Sequence, residues 1–139
     1  MQARVCTLIA MVAFMTVAQG CGKSPGYAEP PFSEYSIAKV ELAGPPSAET
    51  VGGATVSREF IRIAGVRPLL GRWFVDEDFR PAGTRFAVLS SSLWRRRFGG
   101  DPAIIGRSIA LSEQNVVVVG VMPETFEFPK GTAVWLPRR

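Results

Sequence analysis

The residue types that carry most protein chemistry are sparse in this chain. Its 139 residues include no histidine, two cysteines, 16 Lys or Arg and 12 Asp or Glu. Without an imidazole, neither Ser-His-Asp nor Cys-His catalysis is available, and no metal can have a histidine ligand. Two cysteines are too few for a disulfide scaffold or a four-thiolate zinc site. We therefore predict that the protein is not an enzyme and has no catalytic residues, no metal and no cofactor.

Two short polar runs invite a chemical interpretation. The three consecutive serines at 90–92 could hold a nucleophile, but all three lysines of the chain are distant in sequence, so a base is hard to supply. The acidic run at 76–78 could attract Ca²⁺, yet no Asp-x-Asp-x-Asp-Gly loop surrounds it. We interpret the serines as a helix cap and the acidic run as a solvated turn.

Three consecutive arginines form the candidate contact site of the sequence. Arg95, Arg96 and Arg97 follow Trp94, and residues 80–107 contain six arginines against one aspartate. Basic residues beside an aromatic are typical of surfaces that bind nucleic acid or phospholipid. The alternative is a short helix that packs Trp94 and Phe98 inward and leaves the arginines in water. We favour the helix and keep the three arginines as a candidate contact patch.

The N-terminal segment indicates where in the cell the protein is located. Residues 5–18 are fourteen uncharged, mostly apolar residues, too few to span a bilayer core that requires ~20. Arg4 precedes them and Gly20-Cys21 follows, a pattern that indicates a secretory signal and resembles the lipobox of bacterial lipoproteins. We predict a signal peptide at 1–20, cleavage before Cys21 and lipidation of Cys21. A cleaved signal with an incidental cysteine and a short uncleaved anchor are the alternatives.

The rest of the chain divides into a breaker-rich segment and a segment with clear periodicity. Residues 21–52 are dense in Pro and Gly and predict a tether or loop with one strand at 35–42. From residue 53 short helices alternate with short strands, which is typical of an α+β domain. We predict short helices on a small mixed or antiparallel sheet, with a β-hairpin near 107–122.

Several elements of this α+β segment have sharper signals. A helix at 57–64 has Ser57 as its cap and Gly65 as its stop, and a second helix covers 93–98. The hairpin strands, 107–111 and 116–122, are joined by residues 112–115. We expect Val117, Val119 and Val121 to share one face of the second strand. Both helices should pack on the hairpin and bury Trp94.

The order of these segments resembles a known family. The matching pieces are VSREFIRIAGVRPLLGRWF at 56–74, VLSSSLWRRRFGGDPAIIGRSIAL at 88–111, VVGVMP at 118–123 and WLP at 135–137. Together they resemble the MacB-like periplasmic core domain of ABC transporter permeases, over residues 53–137. The resemblance implies a partial copy of a domain outside the membrane that transmits movement or contacts partner proteins and has no catalytic residues.

The functional prediction follows from this resemblance and from the N-terminal signal. We expect a non-catalytic, extracytoplasmic protein of the cell envelope that contacts permease or ATPase subunits of a transport assembly, or is a remnant of one. It would be held at the membrane by its lipid anchor or by a short N-terminal anchor, with no nucleic-acid partner. The alternative is a free-standing envelope lipoprotein that binds an anionic ligand or lipid surface through the arginines of 80–107.

Overall fold

The computed structural model describes residues 28–139. The predicted signal peptide, its cleavage site and the lipidation of Cys21 lie outside the described residues. Between residues 28 and 139, no helix is both long and apolar enough to cross a bilayer.

The described residues contain seven strands, two α-helices and three 3-10 turns. The strands are β1 (Tyr35–Leu42), β2 (Glu49–Val56), β3 (Leu70–Gly71), β4 (Arg85–Leu89), β5 (Ser108–Leu111), β6 (Gln114–Val121) and β7 (Val134–Pro137). The helices are α1 (Arg58–Ala64) and α2 (Ser91–Phe98), and the 3-10 turns cover Phe32–Glu34, Asp76–Phe79 and Pro102–Ile104.

The strands form one mixed sheet that closes on itself. The order is β3-β6-β4-β7-β2-β1-β5, and β5 also pairs with β6, so six strands complete a ring. Strand β3 lies outside the ring and pairs with the C-terminal end of β6. Two pairings are parallel, β4 with β6 and β2 with β7, and the others are antiparallel. The predicted α+β class is confirmed, but the closure of the sheet is a feature that the sequence analysis did not predict.

Both helices begin and end at the predicted signals. The Ser57 hydroxyl accepts a hydrogen bond from the Phe60 N–H at the start of α1, and Ser90 does the same for Leu93 at the start of α2. Gly65 and Gly99 end the two helices in the left-handed conformation that glycine tolerates best. The interpretation of the serines as a cap is confirmed for Ser90.

One face of the ring encloses an inner cluster. All six ring strands contribute to it, and α2 covers one of its ends with Leu93 and Trp94. The strand residues of the inner cluster are Val40, Leu42, Val51, Ala87, Leu89, Ile109, Leu111, Val116, Val118, Val121 and Val134, with Leu136 partly buried beside them.

The opposite face of the sheet carries an outer aromatic cluster. Helix α1 packs there through Phe60 and Ala64, against rings that meet mostly edge to face. The remaining buried members are Tyr35, Ala54, Val56, Phe74, Phe79, Val88, Val119, Met122, Phe126 and Trp135. Both helices share a cluster with the predicted hairpin, but on opposite faces of the sheet. Helix α2 joins the inner cluster, which contains both hairpin strands, whereas α1 shares the outer aromatic cluster with Val119 and Met122.

The predicted common face of Val117, Val119 and Val121 is wrong. Val119 belongs to the outer aromatic cluster, whereas Val121 belongs to the inner cluster. The cause is an irregularity in the pairing of β4 with β6, where Ala87 lies opposite Val118 but the next residue lies opposite Gly120. An extra residue on one strand reverses the side on which later side chains point.

The breaker-rich segment contains more strand than predicted. Strand β1 has the predicted bounds, but residues 49–52 are the first half of β2 and not a loop. Gly52 is required there by close packing, since a Cβ on it would lie 2.2 Å from the Gly131 carbonyl oxygen. The hairpin also differs. Its turn is Ser112-Glu113, both with positive φ, so the connection has two residues and not four.

Candidate functional site

The first two arginines of the predicted contact patch make surface ion pairs. Arg95 pairs with Glu124, and the Arg96 Nη1 lies 2.7 Å from a carboxylate oxygen of Glu49. Both arginine side chains are 54% exposed, which agrees with the prediction that the outer face of the helix is solvated. Their charges are balanced locally by acids on other elements.

Arg97 does not share that exposure. Its side chain is 7% exposed, and its guanidinium donates to the carbonyl oxygens of Ser47 at 2.9 Å and Gly44 at 3.3 Å. Nη1 also lies 3.8 Å from a Glu49 carboxylate oxygen. The expectation that Arg97 is solvated is wrong, because the loop between β1 and β2 supplies acceptors for it.

Glu49 is the acidic partner of two of these arginines. The hydrogen bond from Arg96 lowers the pKa of Glu49, opposed by partial desolvation and assisted by the charges of Arg96 and Arg97. The same hydrogen bond raises the pKa of Arg96. This arrangement joins α2 to the start of β2. As a contact patch for a partner, Arg95, Arg96 and Arg97 remain a prediction.

The acidic run is not a solvated turn throughout. Asp76 is exposed and pairs with Arg58 at 3.0 Å, but Asp78 is 2% exposed. The Asp78 carboxylate accepts from the Arg72 guanidinium at 2.7 Å and from the Val75 N–H at 2.9 Å. Among residues 28–139 no cluster of His, Cys, Asp or Glu could hold a metal ion.

Strand β1 has a free edge. It pairs with β2 along all eight residues, but with β5 only at Leu42. On the side away from β2, the Glu41 carbonyl accepts from the Ser112 N–H and the Glu41 N–H donates to the Ser112 hydroxyl, and the Ala43 N–H just beyond the strand donates to the Ala110 carbonyl. By the alternation of an antiparallel ladder, the backbone groups of Ile37 and Lys39 also point away from β2. No other strand of the described chain covers them.

Two exposed large apolar side chains lie on β1 and in the 3-10 turn just before it. Phe32 is 80% exposed and Ile37 is 63% exposed, the two highest values among the large apolar residues of the described chain. Sequence analysis missed both residues. The available signal was the broken alternation at Ala38-Lys39. Ile37 lies on the same face of β1 as Tyr35, whereas Val40 and Leu42 lie on the inner face, and Ile37 is exposed.

Comparison with known proteins identifies relatives of the domain. The family model described as the MacB-like periplasmic core domain matches residues 28–139, a wider range than the sequence analysis predicted. No curated protein matches the chain in sequence. Among the solved structures that match the chain, two share its fold at low identity.

The first of these structures is the extracellular domain of the noncanonic ABC-type transporter YknZ from Gram-positive bacteria. It has a TM-score of 0.61 and 18% identity, over 75% of this chain and 52% of that one. The second is the periplasmic region of MacB from Actinobacillus actinomycetemcomitans, with a TM-score of 0.60 and 14% identity, over 75% of this chain and 46% of that one. This chain therefore spans about half the length of each structure.

Proposed function

Since the chain belongs to the MacB-like periplasmic core domain family, we propose that it acts by binding another protein of an extracytoplasmic transport assembly, without catalysing a reaction. The partner would be a permease or ATPase subunit of that assembly. The two structures that resemble this chain, the extracellular domain of YknZ and the periplasmic region of MacB, support this proposal.

The free edge of β1 is the observation that carries the proposal. An unpaired strand edge offers a row of N–H and C=O groups, and an extended segment of a partner binds by adding a strand to it. Ile37 on β1 and Phe32 in the turn before it are both exposed, and they supply apolar contacts for the partner. Lys39 on this edge discourages indiscriminate pairing, because charged edge residues oppose aggregation.

Site-specific crosslinking from the edge tests this function. A photoreactive phenylalanine at position 37 should crosslink the chain to a permease or ATPase subunit in membranes of the native host. Position 75 is the matched control, because Val75 is also apolar and exposed but lies far along the chain from β1. Failure of position 37 to capture any transport subunit, or equal capture from position 75, would contradict the proposed contact.

A second experiment separates binding from folding. Ile37→Asp should abolish the crosslink from a probe at position 36 while changing the free energy of unfolding by less than ~0.5 kcal/mol, because the side chain is exposed. An Ile37→Asp protein that folds normally and still captures the subunit would show that the partner binds elsewhere.

Anchoring through Cys21 is the remaining part of the proposal. The short apolar run that ends at Gly20-Cys21 supports it. Cells fed labelled fatty acid should label the wild-type chain, and Cys21→Ser should remove the label and leave the protein uncleaved or released from membranes. Cys6→Ser is the matched control and should behave as wild type. Wild-type protein that takes up no label would contradict lipidation.

The alternative function, anion binding through the arginines of 80–107, is not favoured as a second candidate. Arg95 and Arg96 are each paired with a glutamate, and Arg97 is committed to loop carbonyls and Glu49. Half of the six arginines therefore already have partners within the domain. The other three, Arg80, Arg85 and Arg107, make no ion pair with any residue between 28 and 139.

A further inference from the structure

The closed sheet has one covered end and one open end. Helix α2 covers the inner cluster where β4 ends, because Leu93 and Trp94 pack into it. At the opposite end, where β4 begins and β7 finishes, a cavity of about 360 Å³ opens to solvent. That volume lies within the ~300–1,000 Å³ range of small-molecule sites.

The floor of this cavity is apolar. Val40, Leu111 and Val116 are buried members of the inner cluster, and Leu136 is the partly exposed member beside them. These four side chains come from four different strands, so the floor is the end of the inner cluster itself.

The rim of the cavity is polar, and its residues lie on the face of the sheet that carries the inner cluster. Arg85 precedes Ala87 and Leu89 at two-residue spacing, and those two residues belong to the inner cluster. By the same alternation, Gln114 shares a face with Val116, and Thr55 shares a face with Val51. All three rim residues line the cavity.

The charged side chains of the rim have one sign. Arg85 and Arg139 line the cavity, and no acidic residue is among its lining residues. Arg85 makes no ion pair or side-chain hydrogen bond with any described residue, whereas Arg139 donates to the Thr84 carbonyl oxygen. A solvated cation above an apolar floor, with an amide and a hydroxyl beside it, has the chemistry of a site for an amphiphilic anion.

We propose that this cavity binds a single-chain amphiphile with a carboxylate head, the chain against Val116 and Leu136 and the head between Arg85 and Arg139. The inference is independent of the proposed protein contact, which concerns the outer edge of β1. The cavity is at the small end of the range for such sites, which favours one short chain over a two-chain lipid.

Titration with matched eight-carbon probes tests the site. Sodium octanoate should bind the full-length protein more tightly than 1-octanol, which has the same chain without the charge. Octanoate should also bind more tightly than hexanoate, by about fourfold for each additional buried CH₂. Acetate, which carries the head without the chain, should show no binding. Calorimetry and amide chemical shifts of residues lining the cavity provide the measurements.

Substitutions separate the head from the chain. Arg85→Gln should weaken octanoate about tenfold and leave 1-octanol unchanged, while the matched variant Arg107→Gln, outside this cavity, should change neither. Leu136→Trp should fill the cavity and remove binding of both probes, with a circular dichroism spectrum like that of the parent.

Three results would overturn the proposal. Equal affinity for octanoate and 1-octanol would remove the role of the arginines, and binding of acetate as tight as octanoate would leave only an anion site. Absence of octanoate binding in the millimolar range would exclude the ligand class altogether. None of these outcomes bears on the crosslink from position 37, so failure here is distinguishable from failure of the protein contact.

Discussion

Arg97 and Ser47 lie fifty positions apart in the chain, and Nη1 of Arg97 donates to the Ser47 carbonyl oxygen over 2.9 Å. The same guanidinium donates to the Gly44 carbonyl, so one side chain of α2 holds the loop between β1 and β2 at two points. Because β1 forms the free edge, this contact also sets the position of the proposed docking strand.

Removal of the Arg97 guanidinium should therefore destabilise the domain. We expect Arg97→Gln to lower the free energy of unfolding by ~1–2 kcal/mol, since hydrogen bonds from a charged donor are each worth more than neutral ones. The matched variant Arg95→Gln loses only an exposed ion pair and should cost less than ~0.5 kcal/mol. Urea midpoints measure both. Equal midpoints for the two variants would contradict the holding role of Arg97.

Trp94 should be the most costly residue of α2 to truncate. It is 8% exposed, packs in the inner cluster and donates its indole N–H to the Asp101 carbonyl at 2.9 Å. Trp94→Ala should cost ~3–5 kcal/mol, which approaches the stability of a small domain. Trp94→Phe keeps most of the apolar contact and should cost ~1–2 kcal/mol for the lost hydrogen bond. An alanine variant as stable as its parent would contradict the inner cluster as described.

The Glu49 carboxylate should make the stability of the domain depend on pH. Its pKa is lowered in the folded protein, mainly by the hydrogen bond from Arg96. A lowered pKa means that the stabilisation is complete above the ordinary value of 4.5 and is lost as the pH falls through the folded-state value. We expect the urea midpoints of wild type and Glu49→Gln to differ at pH 7 and to converge as the pH falls through the folded-state pKa of Glu49.

The control for this pH profile is a carboxylate without an ion pair. Glu77 is exposed and has no such partner among residues 28–139. At pH 7, Glu77→Gln should change the urea midpoint less than Glu49→Gln does, because it removes no ion pair. A constant difference between wild type and Glu49→Gln from pH 7 to pH 3 would show that the Glu49 charge is not the cause.

One substitution in the hairpin turn should stabilise the domain. Glu113 has φ of 66°, a conformation that costs most side chains ~1–2 kcal/mol. Glu113→Gly should raise the free energy of unfolding by ~0.5–1 kcal/mol after the extra flexibility of glycine in the unfolded chain is counted. Asn115→Gly places the same residue in the ladder beside the turn and should destabilise instead. Thermal melts would decide, and a destabilised Glu113→Gly would contradict the turn geometry.

The sequence predicted those elements whose signals are local. The caps and stops of α1 and α2 depend on Ser57, Gly65, Ser90 and Gly99, each within one turn of its helix. Periodicity also located β1 and the hairpin. The family resemblance rested on these same local segments, and it was confirmed by the match over residues 28–139.

The features that the sequence did not predict depend on distant partners. Gly52 and Gly53 resemble loop residues until β7 and the Gly131 carbonyl are placed against them. The two faces of β6 exchange at an irregularity that exists only in its pairing with β4. Burial of Arg97 requires carbonyls about fifty residues away. The free edge of β1 is likewise a property of the assembled sheet, because it depends on which strands fail to reach it.

The order of strands in the ring has a consequence for how the domain folds. Strand β7 is the last of the described strands in sequence, yet it lies between β4 and β2, and its parallel pairing with β2 joins Gly53 to Val134. Until residues 134–137 are available, β2 and β4 each present an open edge at the middle of the sheet. Pairings of such long sequence separation are slow to form, so ring closure should be a late, millisecond-to-second event. The emerging chain is therefore most vulnerable to mispairing just before its synthesis reaches β7.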